Sequence, residues 1–349
     1  MISITVFIKG NHFFHSFLYA GLERLKEDQL YSIRYVYPWQ KTFRPSASDI
    51  ILSMEVSNTA ANKKRICFDL SDFNDLISQE ALAGHDLYFK RSYCADKYVG
   101  ISEGLRNKIK PFGLMFACKY SHGCRALLNL LAGFAPNKSD AIRVKTKIGQ
   151  WFNYAKFPPL PAYESRRPLP GNGIILFQTR AWNPSNHPYW REVNESRLQV
   201  ILALKTHFRE RFTGGFMPDR FSRKHYPHAL TSFPTSRGRY VQMVKTASVC
   251  VYTHGLFQSP AFKLGEYLAG GRCIVAEPIV NELPTPLQDG RHFLSFTTAE
   301  SCVAKCEGLL QDVSQAEEMM RQNSDYYWRH VEPSQQLRDA IKTACTGLS

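Results

Sequence analysis

The residues of this chain best placed to do chemistry lie in HGLFQSPAFKLGE, where His254, Gln258, Ser259, Lys263 and Glu266 alternate with small and apolar groups. Such side chains suit an anion with hydroxyls attached to it. Ser259 and Pro260 open a helix on this reading, because serine accepts a hydrogen bond at the N-cap and proline fits the first helical position. Lys263 then falls in the first turn, where the helix dipole disfavours a cation unless an anion lies between. Arg180 directly follows the apolar run IILFQT and could bind phosphate with both arms of its guanidinium. The plainer alternatives are an exposed Lys263–Glu266 pair at i,i+3 spacing, a loop arginine, and a His254 satisfied by a neighbouring carbonyl.

The elements that must position these groups are legible around them. Val249 to Tyr252 is a short β-branched and aromatic run, expected as a buried parallel strand, and Thr253, His254 and Gly255 break it. A helix runs to about Ala269, Gly270-Gly271 ends it through a left-handed backbone, and Cys273 to Ala276 is the next strand. Gly255 could let a backbone approach closely. The loop from His254 to Ser259 is therefore expected at a strand's carboxyl end, where open α/β sheets bind phosphorylated ligands.

The whole stretch ASVCVYTHGLFQSPAFKLGEYLAGGRCIVAEPIVNELPTPLQDGRHFLSF resembles the donor-binding half of nucleotide-sugar glycosyltransferases of the two-Rossmann-domain (GT-B) type. The retaining branch of that family carries a Glu, seven residues and a second Glu, then a small-residue turn and an apolar strand. Gln258 and Glu266 stand at the two acidic places, so this chain departs from the pattern at the first. The resemblance implies that Glu266 takes the nucleotide's ribose hydroxyls, that Gln258 touches the donor sugar, and that Arg180 takes the diphosphate. It implies a nucleoside-diphosphate sugar as co-substrate, and a glycan or lipid-linked acceptor of the kind met in polysaccharide or lipopolysaccharide biosynthesis.

Further out, Ile2 to Lys9, Ser32 to Tyr37, Ile50 to Met54, Arg65 to Asp69, Asp86 to Lys90 and Leu114 to Cys118 read as strands, with helices over Phe13 to Lys26 and His122 to Phe134. The alternation predicts an α/β fold of doubly wound, mostly parallel sheets, and with the resemblance two Rossmann-like domains facing each other across a cleft. The expected division is an N-terminal acceptor domain over 1–156, a proline-rich linker over 157–173, a donor domain over 174–332, and a terminal helix over 333–349 packing back towards the first domain. Helices are also expected over Glu192 to Arg211, Tyr240 to Lys245, Ala316 to Arg329 and Ser334 to Ala344.

The chain has 349 residues and a net charge of +14, and the basic excess gathers in residues 101–170, with Lys or Arg at 106, 108, 110, 119, 125, 138, 143, 145, 147, 156, 166 and 167 against acids at 103, 140 and 164. That segment points to an anionic partner such as a membrane surface or a charged acceptor, or else to a solvated basic face. No apolar run spans a bilayer and the N-terminus lacks a signal-peptide pattern, so the expected location is cytoplasmic, with peripheral attachment to the cytoplasmic face of a membrane through the basic segment. Nine scattered cysteines suit reduced, buried thiols.

No D-x-D pair and no Walker loop occurs, so neither metal nor bound cofactor is expected. On the acceptor side, His12, Asp69 or Asp72, and His122 are the candidates for a general base, which an inverting reaction would need and a retaining one would not. Two rivals remain open: a non-catalytic basic protein binding nucleic acid or anionic glycan, and a GT-B-like nucleotide-sugar epimerase. Without a zinc-finger, RRM or KH signature, nucleic acid is not the expected partner.

Overall fold

The computed structural model describes residues 1–8, 12–42, 48, 50–58, 63–120, 149, 152 and 154–346. The chain divides into two compact units: Met1–Pro161 with Asn281–Thr285 and Arg329–Ser349, and Ala162–Val280 with Pro286–Trp328. Both are α/β and each is built on its own Rossmann-like sheet.

The first unit contains β1 (Ile2–Phe7), α1 (His12–Leu25), β2 (Tyr31–Val36), β3 (Ile51–Ser57), β4 (Lys63–Asp69), α2 (Gln79–Gly84), β5 (Leu87–Lys90), α3 (Glu103–Arg106) and β6 (Ile109–Pro111). Its strand order is β2-β1-β3-β4-β5-β6. The sheet is parallel except at β3, which runs antiparallel to both β1 and β4. Alternation of apolar runs could not reveal that reversal, since direction depends on the connection and not on the strand's own residues. The expected strand at Leu114 to Cys118 is instead a buried, irregular run, and the edge strand is β6. Gln336 donates from Nε2 to the Leu114 carbonyl at 2.6 Å, so a side chain does there what a ladder would do. The expected helix over His122 to Phe134 lies outside the described residues.

The second unit carries the candidate site. After the single-turn α4 (Leu160–Tyr163), which the proline-rich composition did not announce, come β7 (Ile175–Thr179), α5 (Trp190–Phe208), β8 (Phe212–Phe216), α6 (Arg220–His225), α7 (Arg237–Thr246), β9 (Val249–Tyr252), α8 (Phe262–Ala269), β10 (Cys273–Ala276), β11 (Leu294–Ser295), α9 (Ala299–Gln311) and α10 (Val313–Tyr326). The strands form one parallel sheet in the order β11-β10-β9-β7-β8. Val249 and Val251 of β9 and Cys273 and Val275 of β10 are fully buried, under Val200, Ile201 and Leu204 of α5 and Cys302, Cys306 and Leu309 of α9. Burying each large aliphatic side chain contributes roughly 1.5–3 kcal/mol. The two cysteines four apart on α9 therefore face the core as small apolar groups.

Two local features fix the geometry around α8. Gly271, at φ +60, supplies the left-handed residue that ends the helix and turns the chain into β10. The guanidinium of fully buried Arg272 then donates to the carbonyls of Gly270, Gly271, Ala247 and Leu169. Because α10 continues through a π-helical turn at Tyr327–Val331 into α11 (Pro333–Thr346), the chain returns to the first unit. There α11 packs on α1, and Arg24 pairs with Glu332 at 2.7 Å.

Candidate functional site

Since the strands of the second unit are parallel, the residues that follow them gather on one edge of the sheet. Arg180 follows β7, Thr253 and His254 follow β9, and Glu277 follows β10. Arg197, on α5 and 5 % exposed, knits the first two together. It donates from Nη1 to the Arg180 carbonyl at 2.9 Å, from Nη2 to the His254 carbonyl at 2.7 Å and from Nε to Thr253 Oγ1 at 3.2 Å. Burial pulls its pKa down to about 10, with Glu277 opposing.

Behind these loops α7 and α8 supply a cluster of charges. Glu266 is 2 % exposed, its Oε1 lies 3.6 Å from Arg237 Nη1, and its Oε2 is buried with no partner. Lys263 donates from Nζ to the Tyr240 hydroxyl at 2.8 Å and sits 4.1 Å from the centre of that ring. Burial lowers the Lys263 pKa to about 8; Glu266 opposes the shift and Arg237 adds to it. Burial and then Arg237 also lower the pKa of Arg180, with Asp219 opposing. Arg237 thus acts on both Arg180 and Lys263, and on the Lys263 side a buried carboxylate, Glu266, lies between the charges. That arrangement favours an anion, which would relieve their repulsion.

The expected start of the α8 helix is corrected. Gly255 N–H donates to the Ser259 carbonyl at 2.9 Å and Ser259 N–H to Leu256 at 3.1 Å, closing a turn that leaves Ser259 extended before Pro260. The helix begins at Phe262 with Ala261 at the N-cap and no side-chain cap. Lys263 keeps its place in the first turn. A Cβ at Gly255 would displace the Ser259 hydroxyl and come within 3.1 Å of the Ser259 carbonyl, so glycine suits the loop's close approach to itself. The exposed Gln258 and its neighbour Phe257 sit in the left-handed region, at φ 57 and 56, a strained conformation for either. Phe257 rests against the rings of His187 and Tyr189.

The readings of Lys263 and Glu266 as an exposed pair, and of His254 as satisfied by a carbonyl, do not describe this geometry. Glu266 is buried against Arg237, Lys263 turns to Tyr240, and His254 contacts the carboxylate of Glu277 at 2.9 Å through Nδ1. On the acceptor side, His12 opens α1, Asp72 takes Nη1 of the buried Arg91 at 2.6 Å, and His122 lies outside the described residues. Near Asp72, Asp69 Oδ2 accepts from Tyr88 at 2.5 Å and from the fully buried Lys90 at 2.8 Å. Burial pushes the Asp69 carboxyl up, but Lys90 and Tyr88 outweigh it and leave it below its ordinary value.

Sequence reading missed Arg237, Arg197, Tyr240 and Glu277. Glu277 stands directly after an apolar strand, as Arg180 does, and the same argument could have found it. Arg237 is one of several cations in SRGRYVQMVK and carries no local mark.

Residues 195–342 match the family described as glycosyl transferase-like. No curated protein matches the chain. Among solved structures, WaaG, a glycosyltransferase involved in lipopolysaccharide biosynthesis, is 10% identical with a TM-score of 0.41 over 95% of both chains. The C-terminal domain of the group 1 family glycosyl transferase LpcC from Francisella tularensis is 12% identical, with a TM-score of 0.33 over 48% of this chain and 95% of its own. HepE from Anabaena, in complex with UDP-glucose, is 11% identical, with a TM-score of 0.35 over 76% of this chain and 82% of its own. At TM-scores below 0.5 these likenesses carry no functional argument.

Proposed function

We propose that this chain, glycosyl transferase-like over residues 195–342, moves a sugar from a nucleoside diphosphate to a hydroxyl of a glycan, lipid-linked or other anionic acceptor. The observation that carries the reading is the buried Glu266, whose Oε2 has no partner, set beside Arg237 and Lys263, with Arg180 at the end of β7 close enough to feel the Arg237 charge. When the bond between the sugar's anomeric carbon and the diphosphate oxygen breaks, negative charge grows on the leaving group. Fixed cations beside it stabilise that charge without reorganising at the moment of reaction. Glu266, desolvated and half satisfied, accepts from the ribose hydroxyls, and Gln258 reaches the sugar with an amide in place of a carboxylate.

The cations do what a divalent ion would otherwise do, so the reaction proceeds without metal. His254, Gly255 and Ser259 shape the loop over the phosphates. If the reaction inverts, His12 or His122 is favoured as the base over Asp72, because the Arg91 guanidinium already holds the Asp72 carboxylate at 2.6 Å. The basic segment 101–170 gives the acceptor or an anionic membrane surface its complementary charge, which accords with a peripheral cytoplasmic enzyme. No described helix is long and apolar enough to cross a membrane.

A thermal-shift series with UDP, GDP and ADP and their sugars, followed by transfer assays with and without EDTA, tests this. A ligand of the native state raises the unfolding midpoint by mass action. Failure of every nucleoside diphosphate to do so, at millimolar concentration, would sink the donor-site reading. Loss of transfer in EDTA would sink its metal independence alone.

A further inference from the structure

Glu277 has no place in the donor-site reading, yet it holds His254 by two contacts on the carboxyl edge of the second unit's sheet. One oxygen, Oε2, accepts from the His254 backbone N–H at 2.8 Å and lies 2.9 Å from its Nδ1. The other accepts from Ser196 at 3.4 Å. Burial pushes the Glu277 carboxyl up, but the hydrogen bonds from His254 outweigh it and leave it below its ordinary value, so it is a carboxylate at neutral pH. A carboxylate only accepts, so Nδ1 of His254 must carry the hydrogen. The ring is pinned from both sides, since Arg197 holds its backbone carbonyl at 2.7 Å.

What remains of the imidazole is Nε2, which is buried and has no partner. An orphaned buried polar atom costs about 1–3 kcal/mol. It persists here in a loop that also holds Phe257 and Gln258 at left-handed φ, two further unfavourable features within four residues. Three side chains or loops therefore spend stability on holding one nitrogen in one place. Tyr252 packs against the ring edge, with centroids 6.0 Å apart, and the charged groups around it are Glu277 and Arg197.

We propose that Glu277 is a positioning residue: by fixing His254 through Nδ1 and the backbone N–H, it commits Nε2 to a diphosphate oxygen of the bound nucleotide. This rests on the donor-site reading, and it adds a residue which that reading leaves out. When the ring carries both hydrogens, Nε2–H donates to the diphosphate oxygen while Nδ1–H stays on Glu277.

The test is a double-mutant cycle read by calorimetry, using whichever of UDP, GDP and ADP raises the wild-type midpoint most, together with its parent nucleoside. E277A and H254A should each weaken the diphosphate about tenfold or more, and E277A/H254A should be no weaker than the worse single variant, because both remove one interaction. E277Q, whose amide oxygen can still accept from both N–H groups, should bind within about threefold of wild type. The parent nucleoside, lacking phosphate, should bind all variants alike. H254N keeps an N–H where Nδ1 was but has nothing at Nε2; it should bind as poorly as H254A, which keeps the test decisive if E277A does not fold. Losses that multiply in the double variant, or wild-type affinity in H254N, would overturn the proposal while leaving the donor site standing. If wild type binds no nucleoside diphosphate, the donor site fails first and this inference with it.

Discussion

Nη1 of Arg237 lies 3.6 Å from Oε1 of Glu266, too long for a good hydrogen bond and close enough for the two charges to hold each other in place. Arg237 is one third exposed and Glu266 almost wholly buried, so the pair presents its cation outward and keeps its anion inside.

Arg237 is thus expected to serve the leaving diphosphate. Arg237→Ala should lower kcat/KM for transfer about 100-fold, the scale of losing one preorganised donor. Arg237→Lys, which keeps the charge but not the fork, should recover part of it. Steady-state kinetics against donor concentration checks both, and wild-type rates in Arg237→Ala would remove the residue from the site.

Glu266 carries a buried carboxylate with one oxygen unsatisfied, a feature that costs stability in the free protein. Glu266→Gln should therefore abolish nearly all transfer while raising the unfolding midpoint by about 2–4 °C, since the amide is cheaper to bury. A midpoint that falls instead would mean that the carboxylate is structural.

Lys263 titrates at about 8 in the free protein, against 10.5 ordinarily. A bound dianion favours the charged form, so binding above pH 8 must first place a proton on Lys263, and affinity should fall as pH rises from 8 towards 10.5. Lys263→Arg, charged throughout, should bind with little dependence on pH in that window. The stability sign runs the other way. The unfolded chain keeps the proton up to about 10.5, so the free wild-type protein gains stability as pH rises through the same range. Calorimetric titrations with UDP, and melts from pH 7 to 10, separate the two effects.

Gln258 at φ 57 has a Cβ penalty that glycine lacks. The relief of about 1–2 kcal/mol exceeds the entropy glycine loses on ordering, roughly 0.5–1 kcal/mol. Gln258→Gly should raise the midpoint by about 1–3 °C and weaken the donor sugar's contact, visible as a higher KM for the nucleotide sugar than for its rival Gln258→Asn, since asparagine also tolerates the left-handed region.

Arg272 donates to four carbonyls from a fully buried position. Arg272→Ala leaves those acceptors unsatisfied and should cost at least about 3 kcal/mol, measured by denaturant unfolding. A loss under 1 kcal/mol would show that the turn after α8 relaxes freely.

Much of the second unit was legible because its signals are short-range. Val249 to Tyr252 and Cys273 to Ala276 are apolar on both faces, as strands covered by helices on each side must be, and Gly271 ends the intervening helix where expected. The error at Ser259 arose because a serine and a proline mark a helix start only when nothing nearby competes. Here Gly255 and Leu256 capture Ser259's backbone first. The first unit was harder to read, since the reversal at β3 depends on how its strand is connected, which side-chain patterning does not record.

Local pattern by itself determined that two Rossmann-like sheets form, that Arg180 and His254 follow strands, and that Lys263 and Glu266 share the helix between β9 and β10, because backbone preference and apolar periodicity act over a few residues. Only the tertiary structure decided which charges meet: Arg237 with Glu266 and His254 with Glu277 pair across gaps of many residues. Those contacts depend on strand register and helix packing to within an ångström, and that precision comes from the filled core and from no residue type read alone.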